Sequence, residues 1–208
     1  MDLASLGEPI ACAMYSALTC GAQLGDVVVV YGMGFAGQII AQAVKRMGAF
    51  QVAAIDVAQA KLDKAKQLGS DILINGKEVD PVQAVLEITQ GRGADVVVEA
   101  AGSEASMNQA TAMLKHNGIF ALYSWITQPV TLNIGRWHDD GLQIRTTGLV
   151  HHTEQERSVW TPWALRPVAQ GLIDVHPLIT HEFPLVKVAE AFRVADQDPT
   201  AIKVIVKN

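Results

Sequence analysis

The chain reads as an α/β protein: a doubly wound, six-stranded parallel sheet with a C-terminal helix and short return strands. Three observations predict this. Residues 27–31, Val-Val-Val-Val-Tyr, form a β-branched run of the kind that suits a parallel strand covered on both faces. Strand-like and helix-like patterns then alternate along most of the 208 residues, which implies βαβ crossovers and a parallel sheet. The first strand also runs directly into Gly32, Met33, Gly34, Phe35, Ala36 and Gly37, a G-x-G-x-x-G turn that leaves a strand and opens a helix.

The elements follow in order. Residues 1–22 form a junction segment and a helix. The strand at 27–31 is followed by a helix from Phe35 to Met47, in which Ile39, Ile40, Ala43, Val44 and Met47 recur at helical spacing and Gly48 ends the run. Val52 to Asp56 is the second strand. Ala58 to Leu68 is an amphipathic helix stopped by Gly69, and Asp71 to Ile74 is a short third strand. Pro81 sits near the first turn of a helix that runs to Thr89. Asp95 to Glu99 is the fourth strand, a helix spans about Glu104 to Leu114, and Ile119 to Tyr123 is the fifth strand. A crossover at Val130 to Ile134 leads to a sixth strand within Leu142 to Val150. The last third contains a helix from Glu154 to Gln170, its regularity broken by Pro162 and Pro167. A strand at Leu178 to Phe183, a helix at about Lys187 to Ala195 and a strand at Ile202 to Val206 complete it. The two late strands have no evident partners in the main sheet. The expected organisation is therefore a main unit at 23–150 and a return segment at 151–208.

The glycine turn carries the first functional signal. Gly32 permits a tight exit from the strand, Gly34 lets a pyrophosphate approach the backbone, and Gly37 allows close packing of helix on sheet. The helix N-terminus offers free N–H groups and a positive dipole end to phosphate. Asp56 follows Gly34 by 22 residues, near the spacing of about 20 expected for an acid that accepts hydrogen bonds from a ribose. A carboxylate there also repels a 2′-phosphate, so NAD(H) is expected in preference to NADP(H). The rival reading, a methyltransferase using S-adenosylmethionine, has a different usual glycine spacing, and no methyltransferase catalytic motif is evident.

Composition narrows the function classes. Net charge is −5 and no Lys/Arg cluster is interleaved with aromatics, which argues against nucleic acid. Two cysteines, Cys12 and Cys20, make no disulfide framework and read as core thiols. The uncharged stretch from Val27 to Val44 contains three glycines, Gln38 and Gln42, and reads as strand–turn–helix rather than a membrane span. With no basic or apolar leader at the N-terminus, a soluble cytoplasmic protein is expected. The pairs His151-His152 and His138-Asp139-Asp140 have poor ligand geometry, because adjacent side chains diverge. Trp137, Trp160 and Trp163 are expected to pack rather than to line a cleft. Glu99, at the end of the fourth strand, is expected to orient the following loop.

Several segments together resemble a known family. They are Gly7 to Ile10, Leu24 to Gly37, Lys64 to Asp71, Gly93 to Gly102, Leu178 to Leu185 and the tail from Ile202 to Asn208. The chain resembles the C-terminal, NAD-binding part of zinc-containing medium-chain dehydrogenases, of the alcohol, sorbitol and threonine dehydrogenase type. The resemblance implies a Rossmann fold in which Gly32 to Gly37 hold the pyrophosphate. Asp56 and Lys61 would take the adenosine ribose. Ala100, Ala101 and Gly102, with Tyr123 and Ser124, would line the nicotinamide, although the family often has Gly where Ser124 stands. Glu8 matches a position beside the catalytic zinc.

In that family a GroES-like catalytic domain precedes the segment matching Glu8 and carries the other zinc ligands, so none of them is in this sequence. The catalytic constellation is therefore incomplete in this chain, and zinc is expected only if that domain is supplied. The chain would be an isolated domain, a reading frame that lost its front half, or one partner of a split enzyme. The implied chemistry is hydride transfer between a small alcohol or polyol and nicotinamide. The alternative is a non-catalytic dinucleotide-binding or oligomerisation module. Family members usually dimerise through the sheet edge, so a homo-oligomer is expected. The late strands, which pair with the catalytic domain's sheet in the family, would here pair with each other, pair with a second copy, or be poorly ordered.

Overall fold

The computed structural model describes residues 4–149 and 152–208. The expected fold class is what it shows. Helix α1 (Gly7–Thr19) precedes the main sheet. The sheet consists of β1 (Val27–Tyr31), β2 (Gln51–Asp56), β3 (Ile72–Asn75), β4 (Ala94–Glu99), β5 (Leu114–Leu122) and β6 (Gln143–Thr146). Its order is β3-β2-β1-β4-β5-β6, with every neighbour parallel. Helices α2 (Phe35–Arg46), α3 (Gln59–Gln67), α4 (Pro81–Ile88) and α5 (Glu104–Ala112) connect the strands.

The period of two along the strands divides the core in two. Val28, Val30, Val52, Ala54, Val96 and Val98 pack with α1 and α2 on one face. Val29, Tyr31, Ala53, Ile55, Val97 and Phe120 pack with α4 and α5 on the other. This explains why β1 reads as a continuous apolar run: all five of its residues are buried. At the other end of the strands, Asp95 ties three of them together. It accepts the Val27 N–H at 2.8 Å, two hydrogen bonds from Arg92, and an ion pair from Lys115 on β5.

The last third contains α6 (Glu154–Ala169), β7 (Ile179–Pro184), α7 (Val188–Gln197) and β8 (Lys203–Lys207). β7 and β8 pair with each other, in parallel, as a separate two-stranded sheet. This is one of the three outcomes expected for them. Gln42 anchors the return segment to α2 by accepting the Asp174 N–H and donating to the Asp174 carbonyl.

Three expectations need correction. Helix α6 runs through Pro162 and Pro167 without a break. The carbonyls four residues earlier, of Ser158 and Trp163, belong to exposed residues, where water can satisfy what proline cannot. A Thr153–Glu156 capping box fixes its start. The fifth strand begins at Leu114, earlier than the apolar run suggests, and the helix before it ends at Ala112. Asn117, at φ 60°, bends β5 inside this polar stretch, which masks the strand pattern. The sixth strand is only four residues long and wholly exposed, and Val150, in its predicted range, lies outside the described residues. Among the described residues no helix is long and apolar enough to cross a membrane.

Candidate cofactor-binding site

The strand order reverses between β1 and β4, and ligands of doubly wound sheets bind at such a switch point, beyond the carboxyl ends of the strands. A cleft of about 560 Å³ lies there, with Gly32, Gly34, Asp56, Lys61, Ala100 and Ala101 in its lining. The three glycines do different work. Gly32 has φ +98°, and a Cβ would come within 2.7 Å of the Ala100–Ala101 backbone. At Gly37 a Cβ would reach the Gly32 carbonyl at 1.9 Å, so α2 packs on the turn only because that atom is missing. At Gly34 a Cβ would meet nothing within 4 Å, and φ −70°, ψ −170° is open to any residue. Neither packing nor backbone strain therefore demands glycine at this position.

Gly34 is also the N-cap of α2, and no side chain caps that end. The first-turn N–H groups of Phe35, Ala36 and Gly37 have no carbonyl one turn back inside the helix, and the first turn contains no acid. An uncapped helix end beside open space at a glycine fits a bound pyrophosphate. Asp56 stands at the far side of the same turn. It accepts the Met33 N–H at 2.7 Å and the Ala58 N–H at 2.9 Å, which holds the glycine turn against the end of β2. The Met33 side chain is fully buried, so only its backbone belongs to the turn. Phe35 carries the Lys203 ammonium 5.1 Å from its ring centroid. Tyr31 lies in the cleft floor and donates to Gln109. Burial first, then the charges of Glu99, Asp56 and Asp80, raise its phenol pKa.

Beyond β4 the chain turns through Ala100, Ala101 and Gly102. Gly102 lies against Ser124: a Cβ at Gly102, where φ is +77°, would be 3.6 Å from the Ser124 Cβ. Ser124 and Tyr123 belong to a second cleft of about 440 Å³, lined also by Trp125, Ile126, Thr146 and Gly148. The residues expected to line the nicotinamide thus fall on two touching loops, each bordering one cleft. Trp125, Ile126, Thr146 and Gly148 were not legible as site residues, and neither were Ser103 and Gly76 of the first cleft. Their only signal is their place just after the ends of β3, β4, β5 and β6.

Glu8 is exposed in the first turn of α1 and accepts a hydrogen bond from the Cys12 thiol at 3.1 Å. Burial and the Glu8 carboxylate push the Cys12 thiol up to about 12. Burial also pushes Tyr123 up to about 12, with the charges of Cys12 and Glu8 adding to the effect. Cys12 of α1 and Tyr123 of the second cleft pack against the same hydrophobic core. Cys12 and Cys20 are both free thiols.

Among the described residues no three His, Cys, Asp or Glu side chains gather to hold a metal ion. A catalytic zinc centre takes three protein ligands, so these residues alone do not compose one. Asp140 is engaged by Arg136 and His116. His152 bonds the Tyr15 hydroxyl at 2.7 Å, and His151 lies outside the described residues. Trp160 packs edge-on against Tyr15 and Trp163, with centroids 5.1 and 5.3 Å away. Trp160 seats α6 on α1 through Tyr15, Trp163 is exposed beside it, and neither lines either cleft. Trp137 is half-buried and also lines neither.

Comparison with known proteins agrees with the fold. A family model described as zinc-binding dehydrogenase matches residues 36–163. L-threonine 3-dehydrogenase of Bacillus subtilis is 30% identical over 195 residues, covering 93% of this chain and 54% of that protein. Sorbitol dehydrogenase of Mus musculus is 31% identical over 214 residues, covering 98% and 55%. Among solved structures, an oxidoreductase/dehydrogenase of unknown specificity from Escherichia coli superposes with TM-score 0.87 at 27% identity, over 97% of this chain and 56% of its own. L-idonate 5-dehydrogenase from Escherichia coli gives 0.85 at 25% identity, over 100% and 57%. The chain spans about half the length of the curated relatives it matches.

Proposed function

Because the chain belongs to the zinc-binding dehydrogenase family, we propose that it is the NAD(H)-binding part of a zinc-dependent alcohol or polyol dehydrogenase. Residues 23–150 form the cofactor unit, 1–22 the junction and 151–208 the return segment. The observation that carries the reading is Gly34: open space, an uncapped helix end and a carboxylate one strand away, all in one cleft.

Nicotinamide supplies the hydride acceptor. The protein's own contribution is placement. The N–H groups at the start of α2 hold the pyrophosphate, and Gly34 leaves room for it. Asp56 accepts from the adenosine ribose hydroxyls and disfavours a 2′-phosphate, while Lys61 borders the same end. Ala100, Ala101 and Gly102, together with Tyr123 and Ser124, confine the nicotinamide half. The substrate, a small alcohol or polyol by analogy with the named relatives, meets the nicotinamide at the second cleft. Glu8, at the start of α1, would lie beside a catalytic zinc whose other ligands would be supplied by a GroES-like domain, in the same polypeptide or in trans, within a homo-oligomer.

The cofactor choice is tested by titrating the chain with NADH and NADPH. NADH should bind at least about tenfold more tightly, a difference of about 1.4 kcal/mol. Asp56→Asn removes the charge and keeps the size, so it should shrink that ratio. Equal affinities in the unmodified chain would contradict the assignment.

A further inference from the structure

Glu99 connects the two clefts. It ends β4 and is fully buried. Its backbone carbonyl accepts the N–H groups of Tyr123 and Ser124 at 3.0 and 3.3 Å. Its side-chain Oε1 accepts the N–H groups of Ala101 and Gly102 at 2.9 and 2.7 Å, and the Ser106 hydroxyl at 2.7 Å. One residue therefore holds the loop after β4 with its side chain and the loop after β5 with its main chain. Those are the loops that meet at Gly102 and Ser124.

This is more than helix capping requires. The Ser103–Ser106 box already caps α5. The Ala101 and Gly102 N–H groups point at Glu99 instead, and without it both would lose their acceptor beside a buried strand end. The other carboxylate oxygen, Oε2, is buried with no hydrogen-bond partner among the described residues. Buried polar atoms are rarely left in that state. Such atoms, when they occur in native structures, ask for an explanation at the site they serve.

We infer that Glu99 is a positioning residue for the nicotinamide half of the bound dinucleotide, acting through the Ala101–Gly102 and Tyr123–Ser124 loops. This rests on the cofactor reading above. The adenosine end, at Asp56 and Lys61, borders only the first cleft. A ligand that spans both clefts must cross the loops that Glu99 fixes. ADP-ribose lacks the nicotinamide ring, so it meets these loops only where Ala100 and Ala101 border the first cleft and depends less on their alignment.

The test is calorimetric titration of the full chain with NADH and with ADP-ribose. The variants are Glu99→Ala, Glu99→Asp and Glu99→Gln, each with its melting temperature recorded. Glu99→Ala removes the acceptor, and NADH affinity should fall at least about tenfold while ADP-ribose stays within about twofold. Glu99→Asp withdraws the carboxylate by one methylene and keeps its charge. It should show the same split, and it decides the matter if the alanine variant does not fold. Glu99→Gln keeps an oxygen for the two N–H groups and should restore NADH affinity to within about threefold of the parent. Equal loss of both ligands, no loss of either, or a glutamine variant as impaired as the alanine one would overturn the role. A parent chain that fails to bind ADP-ribose would instead overturn the dinucleotide reading on which it rests.

Discussion

Three glycines in one motif are chemically identical and structurally distinct. Gly32 and Gly37 are required by the fold, since a Cβ at either would strike backbone atoms. Gly34 has no such requirement. The motif's spacing was legible in the sequence, but this division of labour was not, because it depends on which backbone lies opposite each residue. Asp56 was legible as an acid facing the cleft, whereas its two hydrogen bonds to the turn's own backbone were not.

Asp95 makes a separate prediction at this scale. Burial alone would raise its pKa, but hydrogen bonds from Arg92, Lys115 and the Val27 N–H outweigh burial and hold the carboxyl well below the usual range. A folded-state pKa below the unfolded one, near 3.9, contributes stability that is full above the unfolded value and is lost as pH falls through the folded one. Asp95→Asn should therefore cost on the order of 1–3 kcal/mol at pH 7. The gap between variant and parent should narrow in denaturation curves taken below pH 4. A gap that stays constant down to pH 2 would remove Asp95 as its source.

Among the elements, buried parallel strands read most clearly, because both faces select apolar, β-branched residues. β6 read least clearly: it is a short, exposed edge in which Ile144 is the one apolar residue of four. The extent of α6 was legible, and its two prolines remove backbone donors without ending the helix. β7 and β8 were visible as strands, but their pairing was one of three options, since a partner is not written in a strand's own pattern. Their mutual ladder makes a testable statement. Amides of β7 and β8 that bond across the pair should exchange hydrogen at least about tenfold more slowly than those of the loop residues 125–128. Exchange at equal rates in the two regions would show that the pair does not persist. For the site, the first cleft followed from a motif, while four of the seven residues that line the second, Trp125, Ile126, Thr146 and Gly148, had no motif to reveal them.

Across the whole molecule, a doubly wound sheet sets one cleft at its switch point and a second beside it, joined at Glu99. On the proposed function, these two clefts would hold the two halves of a nicotinamide dinucleotide. The chain belongs to the zinc-binding dehydrogenase family and spans about half the length of the curated relatives it matches. Fold and cofactor site can be separated experimentally at Gly34. Replacing it by alanine introduces two small stability terms of opposite sign, each about 0.5–1 kcal/mol: a weaker N-cap and a less flexible unfolded chain. The added methyl enters space where no protein atom lies within 4 Å. The most direct measurement is a calorimetric titration of the parent and Gly34→Ala with NADH, alongside their melting curves. The parent should bind one NADH per chain, and the variant should melt within a few degrees of it yet bind at least about tenfold more weakly. Unchanged NADH affinity in a folded Gly34→Ala variant, or no binding by the parent, would contradict cofactor binding at this turn.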